Sequence, residues 1–224
     1  MGLLKGEKMK KYEHILFDLD GTLTDPERGI TRSVQYALKK FGIHAELCEL
    51  RKFIGPPLYD SFMEYYGFSR EQSVEAVKYY RELYSGGGAM FDCKVFDGIP
   101  ELLSKLRDSG RDLIVATSKP LVMAEKILEK FSLSQYFDHV FGCELDGRRT
   151  KKEEVIEYAL ENHPIDLERS IMVGDRLHDI DGAHLNRLPA VGVLWGYGSV
   201  EEFNEHHADF IVRDVNELEK LLFS

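Results

Sequence analysis

Residues 13–25 have the sequence EHILFDLDGTLTD, and this stretch decides the fold. Its apolar run up to Phe17 stops abruptly at Asp18, Asp20 and Gly21, which is typical of a buried strand that opens into a loop. The pattern therefore predicts that two carboxylates lie at the carboxyl end of a strand.

Further short apolar runs follow, and amphipathic helical patterns separate them. The runs cover residues 113–116, 139–141, 171–173, 190–194 and 210–212. Between two of them, apolar side chains at positions 99, 102, 103 and 106 recur at the i, i+3, i+4, i+7 spacing of a helix that lays one face on a sheet. The alternation predicts an α/β fold with a parallel sheet.

Residues 25–91 differ from the rest because helical periodicity dominates and no convincing strand is visible. An example is the series Val74, Val77, Tyr80 and Tyr84. We therefore predict an all-helical insertion after the first strand. The predicted domains are a tail at 1–11, a core at 12–24 and 92–224, and a helical cap at 25–91.

Residues at the two ends of the insertion predict how it joins the core. Asp25 is predicted to cap its first helix, with Pro26 at the first helical position, where a missing N–H costs nothing. Glycines at 86–88 predict a pliable connection back to the core. In the tail, Met9 remains an alternative start.

Composition limits the function classes. With 39 acidic and 29 basic residues, the net charge of −10 argues against binding to nucleic acid or to an anionic membrane. The apolar runs are far shorter than the roughly 20 residues that span a bilayer. Three separated cysteines without a CxxC pair fit a reducing compartment, so we expect a cytoplasmic protein, monomeric or dimeric, that acts on small molecules.

Four carboxylates follow predicted strands and are expected to converge. Asp18 and Asp20 follow the first, Asp175 and Asp179 lie in the GDRLHD loop after another, and Thr117-Ser118-Lys119 follows a third. Two like charges 4 Å apart repel by about 4 kcal/mol at an effective dielectric of 20. Oxygen-only donors without His or Cys favour Mg²⁺, which keeps waters and binds substrate phosphate. The cluster therefore predicts phosphoryl chemistry.

The alternative is that Asp18 and Asp20 only end a strand and form a turn, as Asp and Gly often do. For an isolated DxDG the two interpretations are about equal. The hydroxyl loop and the GDxxxD loop, each after its own strand and in this order, favour the functional interpretation.

At this point the sequence resembles the haloacid dehalogenase superfamily of phosphatases over residues 12–222. The motifs are DLDGT at 18–22, VATSK at 115–119, a lysine at 151 or 152, and GDRLHD at 174–179. Their order and the helical insertion are similar to the phosphoglycolate-phosphatase-like branch, which includes bacterial 5′-nucleotidase-like members. The resemblance implies a Rossmannoid core with a mobile cap.

The resemblance also implies roles for individual residues. Asp18 would attack phosphorus, and Asp20 would act as general acid and then general base. Mg²⁺ would be held by Asp18, the Asp20 carbonyl and Asp175, with Asp179 behind them. The remaining implied contacts bind the phosphate oxygens: Thr117, the N–H of Ser118, and Lys152.

Several points stay open at this stage. Lys151 is the alternative to Lys152, and residues 148–152 could also be a solvated basic patch. The loop FIGPPL at 53–58 is either a helix connector or a cap loop that selects the leaving group, assisted by Tyr59, Tyr65 and Tyr66. His178 is expected to be a surface residue more often than a substrate contact.

The function itself has alternatives. A phosphomutase would need the same Asp18 and Asp20 and would convert glucose 1-phosphate to glucose 6-phosphate without releasing phosphate. A binding protein on the same scaffold would show no turnover. A dehalogenase is disfavoured by Asp20, which that branch does not use. Phosphoglycolate, nucleoside monophosphates and sugar phosphates all remain candidate substrates.

Overall fold

The computed structural model describes residues 12–224. The predicted tail and the alternative start at Met9 lie outside the described residues. Within the described part, no helix is long and apolar enough to cross a membrane.

The strands form one main sheet and one small ribbon. They are β1 (His14–Phe17), β2 (Thr24–Asp25), β3 (Lys94–Val95), β4 (Asp112–Pro120), β5 (His139–Cys143), β6 (Ser170–Gly174), β7 (Ala190–Val193) and β8 (Phe210–Val212). Within residues 12–224 the main sheet has six parallel strands in the order β5-β4-β1-β6-β7-β8. The predicted parallel α/β fold is confirmed.

Helices connect and cover these strands. They are α1 (Glu27–Lys40), α2 (Leu58–Tyr66), α3 (Arg70–Arg81), α4 (Ile99–Asp108), α5 (Leu121–Lys130), α6 (Lys152–Asn162), α7 (Leu177–Leu185), α8 (Val200–Glu205) and α9 (Val215–Leu222). Short 3₁₀ turns cover Leu47–Phe53, Ala89–Phe91, Ser134–Tyr136 and Leu167–Arg169, and a π-helical turn, Glu82–Gly86, extends α3.

Alternation along β1 builds a core on both faces of the sheet. Ile15 and Phe17 join one large apolar cluster, whereas Leu16 joins a second cluster on the opposite face. All three side chains are fully buried. A strand that is buried on both faces has a continuous apolar sequence, which is why β1 shows no polar alternation.

The helical segment, residues 27–91, holds α1 to α3 and no strand. Within it Val74, Val77, Tyr80 and Tyr84 are helical as their spacing predicts, and Val77, Tyr80 and Tyr84 are buried whereas Val74 is 47% exposed. Aromatic rings fill the interior, with Phe62 stacked on Phe68 at 5.7 Å. The division into core and cap, and the hinge role of the glycines, stay predictions.

Two local expectations at the start of this segment need correction. Helix α1 begins at Glu27, and its N-cap residue is Pro26. Asp25 is therefore not the N-cap, and Pro26 is not the first helical residue. The Asp25 carboxylate still accepts the Glu27 N–H at 3.0 Å. Asp25 itself lies in β2, which pairs antiparallel with β3 in a ribbon that the sequence did not predict. A two-residue strand is too short to show a period.

Candidate active site

The sheet order reverses at β1, so the loops after β1, β4 and β6 meet at one place, where doubly wound sheets bind ligands. There the structure brings together Asp18, Asp175 and Asp179. Carboxylate oxygens of the three residues all lie within 4.8 Å of one another, and all three side chains are buried. The expected convergence of these carboxylates is therefore seen in the geometry.

A tight turn after β1 makes this approach possible. Gly21 has φ +88°, and a Cβ added to it would lie 2.0 Å from an Asp175 carboxylate oxygen. Any side chain here would both strain the backbone and displace Asp175. The glycine of the DLDGT motif is thus required by the packing of the two loops.

Lys152 bridges two of the carboxylates. Its Nζ lies 2.6 Å from Asp18 Oδ1 and 2.8 Å from Asp179 Oδ1, and it donates to the Ala116 carbonyl at 2.9 Å. Burial disfavours the ammonium, but Asp179 and Asp18 outweigh burial and raise the pKa of Lys152 above its usual value. Lys151, by contrast, has a side chain that is 67% exposed. The structure places Lys152, not Lys151, among the carboxylates.

The GDRLHD loop fixes its own two carboxylates. Asp179 Oδ2 accepts the backbone N–H groups of Asp175 at 3.1 Å and of Arg176 at 3.0 Å. Burial raises the pKa of Asp179 to about 6 although Lys152 lowers it. Burial, with the nearby charges of Asp179 and Asp18, also raises the pKa of Asp175 well above its usual range. The cluster carries more negative charge than one lysine neutralises.

Asp20 has a different environment from Asp18. Its Oδ2 lies 2.6 Å from Lys119 Nζ, whereas its buried Oδ1 has no hydrogen-bond partner among the described residues. Burial raises the pKa of Asp20 above its usual value despite the opposing effect of Lys119. Unequal environments of paired carboxylates are what an acid and a nucleophile require.

Two neighbours of Asp20 were given no role in the site by the sequence. Lys119 Nζ also donates to the hydroxyl of Tyr84 at 2.6 Å, and Tyr84 comes from the helical segment. Lys119 ends the VATSK motif, but the motif gave it no role. Tyr84 was predicted only as a residue of a helix face, because sequence spacing cannot show which helix end reaches the sheet.

The hydroxyl loop lies beside these groups. Thr117 is buried, and its Oγ1 accepts the Lys119 N–H at 3.3 Å. Thr117 and Ser118 both line the same cleft as Asp18 and Lys152. The structure thus brings the predicted phosphate-binding residues to one wall.

The cleft, of about 1000 Å³ including its opening to solvent, lies between the sheet edge and the helical segment. The FIGPPL loop contributes Phe53 and residues 55–58 to its lining, and Tyr59 also lines it. Arg176 Nη1 donates to the Ile54 carbonyl at 2.9 Å and so links this loop to the core. The loop is therefore more than a helix connector.

The residues that line the cleft include His178 but neither Tyr65 nor Tyr66. Tyr65 and Tyr66 do not line the cleft but pack around Phe53, with ring centroids 5.4 Å and 6.0 Å from it. His178 is half-buried and lines the cleft, and burial lowers its pKa.

The donor set at this edge fits a hard divalent cation. The carboxylates of Asp18, Asp175 and Asp179 supply only oxygen, and their excess negative charge favours a bound cation. Two oxygen ligands with room for water and phosphate are the usual protein contribution to Mg²⁺ binding. The predicted cofactor thus suits the residues present.

The chain thus has a parallel α/β fold with a cluster of carboxylates at the switch point of its sheet, which is where folds of this class bind ligands. A family model described as "Haloacid dehalogenase-like hydrolase" matches residues 15–193. The chain therefore belongs to the haloacid dehalogenase-like hydrolase family, and the resemblance inferred from its motifs is confirmed.

Individual relatives agree with this assignment. A 5′-nucleotidase of Pseudomonas aeruginosa is 46% identical over 96% of this chain and 97% of its own length. A crystal structure described as a predicted phosphatase, from Clostridium acetobutylicum, superposes with a TM-score of 0.91 at 51% identity, covering 94% of this chain and 98% of that one. The chain is accordingly a phosphatase of this family.

Another relative is named as a kinase and not as a phosphatase. The tyrosine-protein kinase PtkA of Mycobacterium tuberculosis is 41% identical over 84% of this chain, which spans 64% of that protein's length.

Proposed function

We propose that this chain is a Mg²⁺-dependent phosphomonoester hydrolase that acts on a small phosphorylated metabolite through an aspartyl-phosphate intermediate. The observation that carries the proposal is the contrast between two neighbouring carboxylates in one cleft. Each carboxylate lies 2.6 Å from a lysine ammonium, Asp18 from Lys152 and Asp20 from Lys119, but Asp20 has a raised pKa and a buried oxygen without a hydrogen-bond partner in the described chain.

The two carboxylates divide the reaction between them. A carboxylate oxygen of Asp18 attacks phosphorus, the bond from phosphorus to the leaving oxygen breaks, and protonated Asp20 gives its proton to that oxygen. Asp20 then takes a proton from water, whose oxygen attacks the same phosphorus. The acyl phosphate bond breaks, inorganic phosphate leaves, and Asp18 is regenerated.

The phosphate oxygens need positive partners during both steps. Lys152 lies beside Asp18 and is fixed there by Asp179 and the Ala116 carbonyl, so its ammonium is positioned before the substrate arrives. The Thr117 hydroxyl and the Ser118 N–H would supply further donors from the neighbouring wall. Charge in a loose phosphoryl transition state spreads over these equatorial oxygens.

The metal would be held by Asp18, Asp175 and the backbone carbonyl of Asp20, with Asp179 orienting the loop behind them. When bound, the cation offsets the negative charge of Asp18 toward an incoming phosphate. The net charge of −10 supports a small substrate over a polyanionic one.

Removing metal tests the proposal directly. We expect EDTA to lower phosphate release from p-nitrophenyl phosphate by more than about 100-fold, and excess Mg²⁺ to restore it, because three buried carboxylates otherwise repel the substrate. The measurement is steady-state phosphate release before and after metal replacement. Full activity in EDTA would contradict the proposed metal dependence.

The acid role of Asp20 predicts a dependence on the leaving group. In Asp20→Asn, kcat/KM for an alkyl phosphate should fall by about 10² to 10³, because an alkoxide needs a proton to leave. The fall should be far smaller for p-nitrophenyl phosphate, whose leaving group is stable as an anion. Stopped-flow traces with p-nitrophenyl phosphate should also show a burst, since the same residue activates water later.

An equal loss of kcat/KM with both substrates would remove Asp20 from the acid role. Each substrate serves as the control for the other, because both are measured with the same variant. Circular dichroism of Asp20→Asn against the wild type controls for folding.

A further inference from the structure

A second cluster of ligand-type side chains lies at the opposite edge of the sheet from the active site. His14 begins β1, Asp112 begins β4, and the two residues are register partners in the parallel pair. His163 follows directly after α6. The cluster is thus built at the amino ends of two central strands, whereas Asp18 and Asp175 follow carboxyl ends.

Both histidines point at one carboxylate oxygen. His14 Nδ1 and His163 Nε2 each lie 2.7 Å from Asp112 Oδ2. The side chains of His14, His163 and Asp112 are 16%, 15% and 21% exposed, so the cluster is sheltered but open to small ions. A third imidazole, His139, lies with its ring centroid 4.0 Å from that of His163.

The spacing suits coordination of one ion. Donor atoms of His14, Asp112 and His163 all lie within 4.8 Å of one another. Zn²⁺ binds nitrogen and oxygen donors at about 2.0–2.2 Å in a tetrahedral arrangement, so two donors on one ion are about 3.4 Å apart. The two 2.7 Å contacts to Asp112 would lengthen by about 0.7 Å on binding, and a pair of donors now as far apart as 4.8 Å would approach by about 1.4 Å.

The donor chemistry separates this cluster from the active site. Two imidazole nitrogens and one carboxylate suit Zn²⁺ and similar transition-metal ions, whereas Mg²⁺ prefers oxygen alone. Each imidazole becomes a ligand when its proton moves to the other ring nitrogen, so no redox step or co-reactant is needed.

We propose that His14, Asp112 and His163 form a transition-metal site, of the Zn²⁺ type, that is separate from the catalytic centre. Water or His139 would complete the coordination. A bound ion would join the amino ends of β1 and β4 to the end of α6, the helix whose first residue is Lys152. Its direct effect is on the stability of the fold, since it lies at the far end of that helix.

The test is calorimetric titration of metal-free protein with Zn²⁺ in excess Mg²⁺, which occupies the oxygen-only site. We expect about one Zn²⁺ per wild-type chain and at least tenfold weaker binding in Asp112→Asn. That variant retains hydrogen bonds to both imidazoles but loses the charged ligand. Zn²⁺ should also raise the Tm of the wild type more than that of the variant at the same Zn²⁺ concentration.

Three controls sharpen the assignment. The double change His14→Gln and His163→Gln should remove binding, whereas His44→Gln, an exposed histidine in the helical segment, should bind as the wild type does. Asp18→Asn should also bind Zn²⁺ normally, which would separate this site from the catalytic carboxylates. Co²⁺ provides a second readout, because its visible absorption should appear with the wild type and be absent with Asp112→Asn.

Equal Zn²⁺ binding by the wild type and the double variant would overturn the proposal, and so would no binding at all, which would leave a hydrogen-bonded network only. Neither result bears on phosphate release, so the metal site and the proposed function fail independently.

Discussion

Asp18→Asn is expected to lower phosphate release from p-nitrophenyl phosphate by at least about 10⁴-fold. The amide has nearly the shape of the carboxylate but cannot form the acyl phosphate, and it also leaves the Lys152 ammonium, now 2.6 Å from Asp18 Oδ1, without that charged partner. The measurement is steady-state hydrolysis with Mg²⁺, together with circular dichroism to show an intact fold.

The matched control is Asp181→Asn. Asp181 lies on α7 and pairs with His206 at 2.8 Å, and it does not line the cleft. Its activity should stay within about twofold of the wild type, as is usual for surface substitutions. Turnover by Asp18→Asn close to that of Asp181→Asn would show that Asp18 is not the nucleophile.

Lys152→Met should have the second-largest effect and should act on both activity and stability. We expect kcat/KM to fall by about 10³-fold, because one preorganised positive donor to the phosphate is lost. The free energy of unfolding should fall by about 3–5 kcal/mol, because Asp18 and Asp179 stay buried without their cation. Urea unfolding in EDTA measures this loss without compensation by bound metal.

Lys151→Met is the adjacent control. The Lys151 ammonium lies 4.0 Å from Glu153 in a largely exposed position, so its removal should change stability by less than about 0.5 kcal/mol and leave kcat/KM nearly unchanged. A larger loss of activity in Lys151→Met than in Lys152→Met would reverse the assignment of the phosphate-binding lysine.

The position of a site residue can be predicted from the sequence where the residue directly follows a recognisable strand. Apolar runs ending at Asp18 and before Asp175 placed both carboxylates at strand ends, and parallel strands bring such ends together. The six predicted strands of the main sheet are all present. These inferences needed only local pattern and the general geometry of α/β sheets.

A residue's position cannot be predicted from the sequence where it depends on how separate parts of the chain pack. The contact between Lys119 and Tyr84 joins β4 to the end of the helical segment, and no periodicity reports such a contact. Tyr65 packs against Phe53 inside the segment, while Tyr59 lines the cleft, although both belong to α2. Aromatic side chains suit either place, so tertiary packing decides.

The short ribbon of β2 and β3 has a consequence for how this chain can change. Because Asp25 pairs with Lys94 in this ribbon, the chain enters and leaves the helical segment at neighbouring points. A segment with adjacent ends can be exchanged for one of another length at little cost to the remainder. We therefore expect that residues 27–91 can be exchanged as a unit, and that a chimera would keep the chemistry of Asp18 and acquire the selectivity of the donor protein.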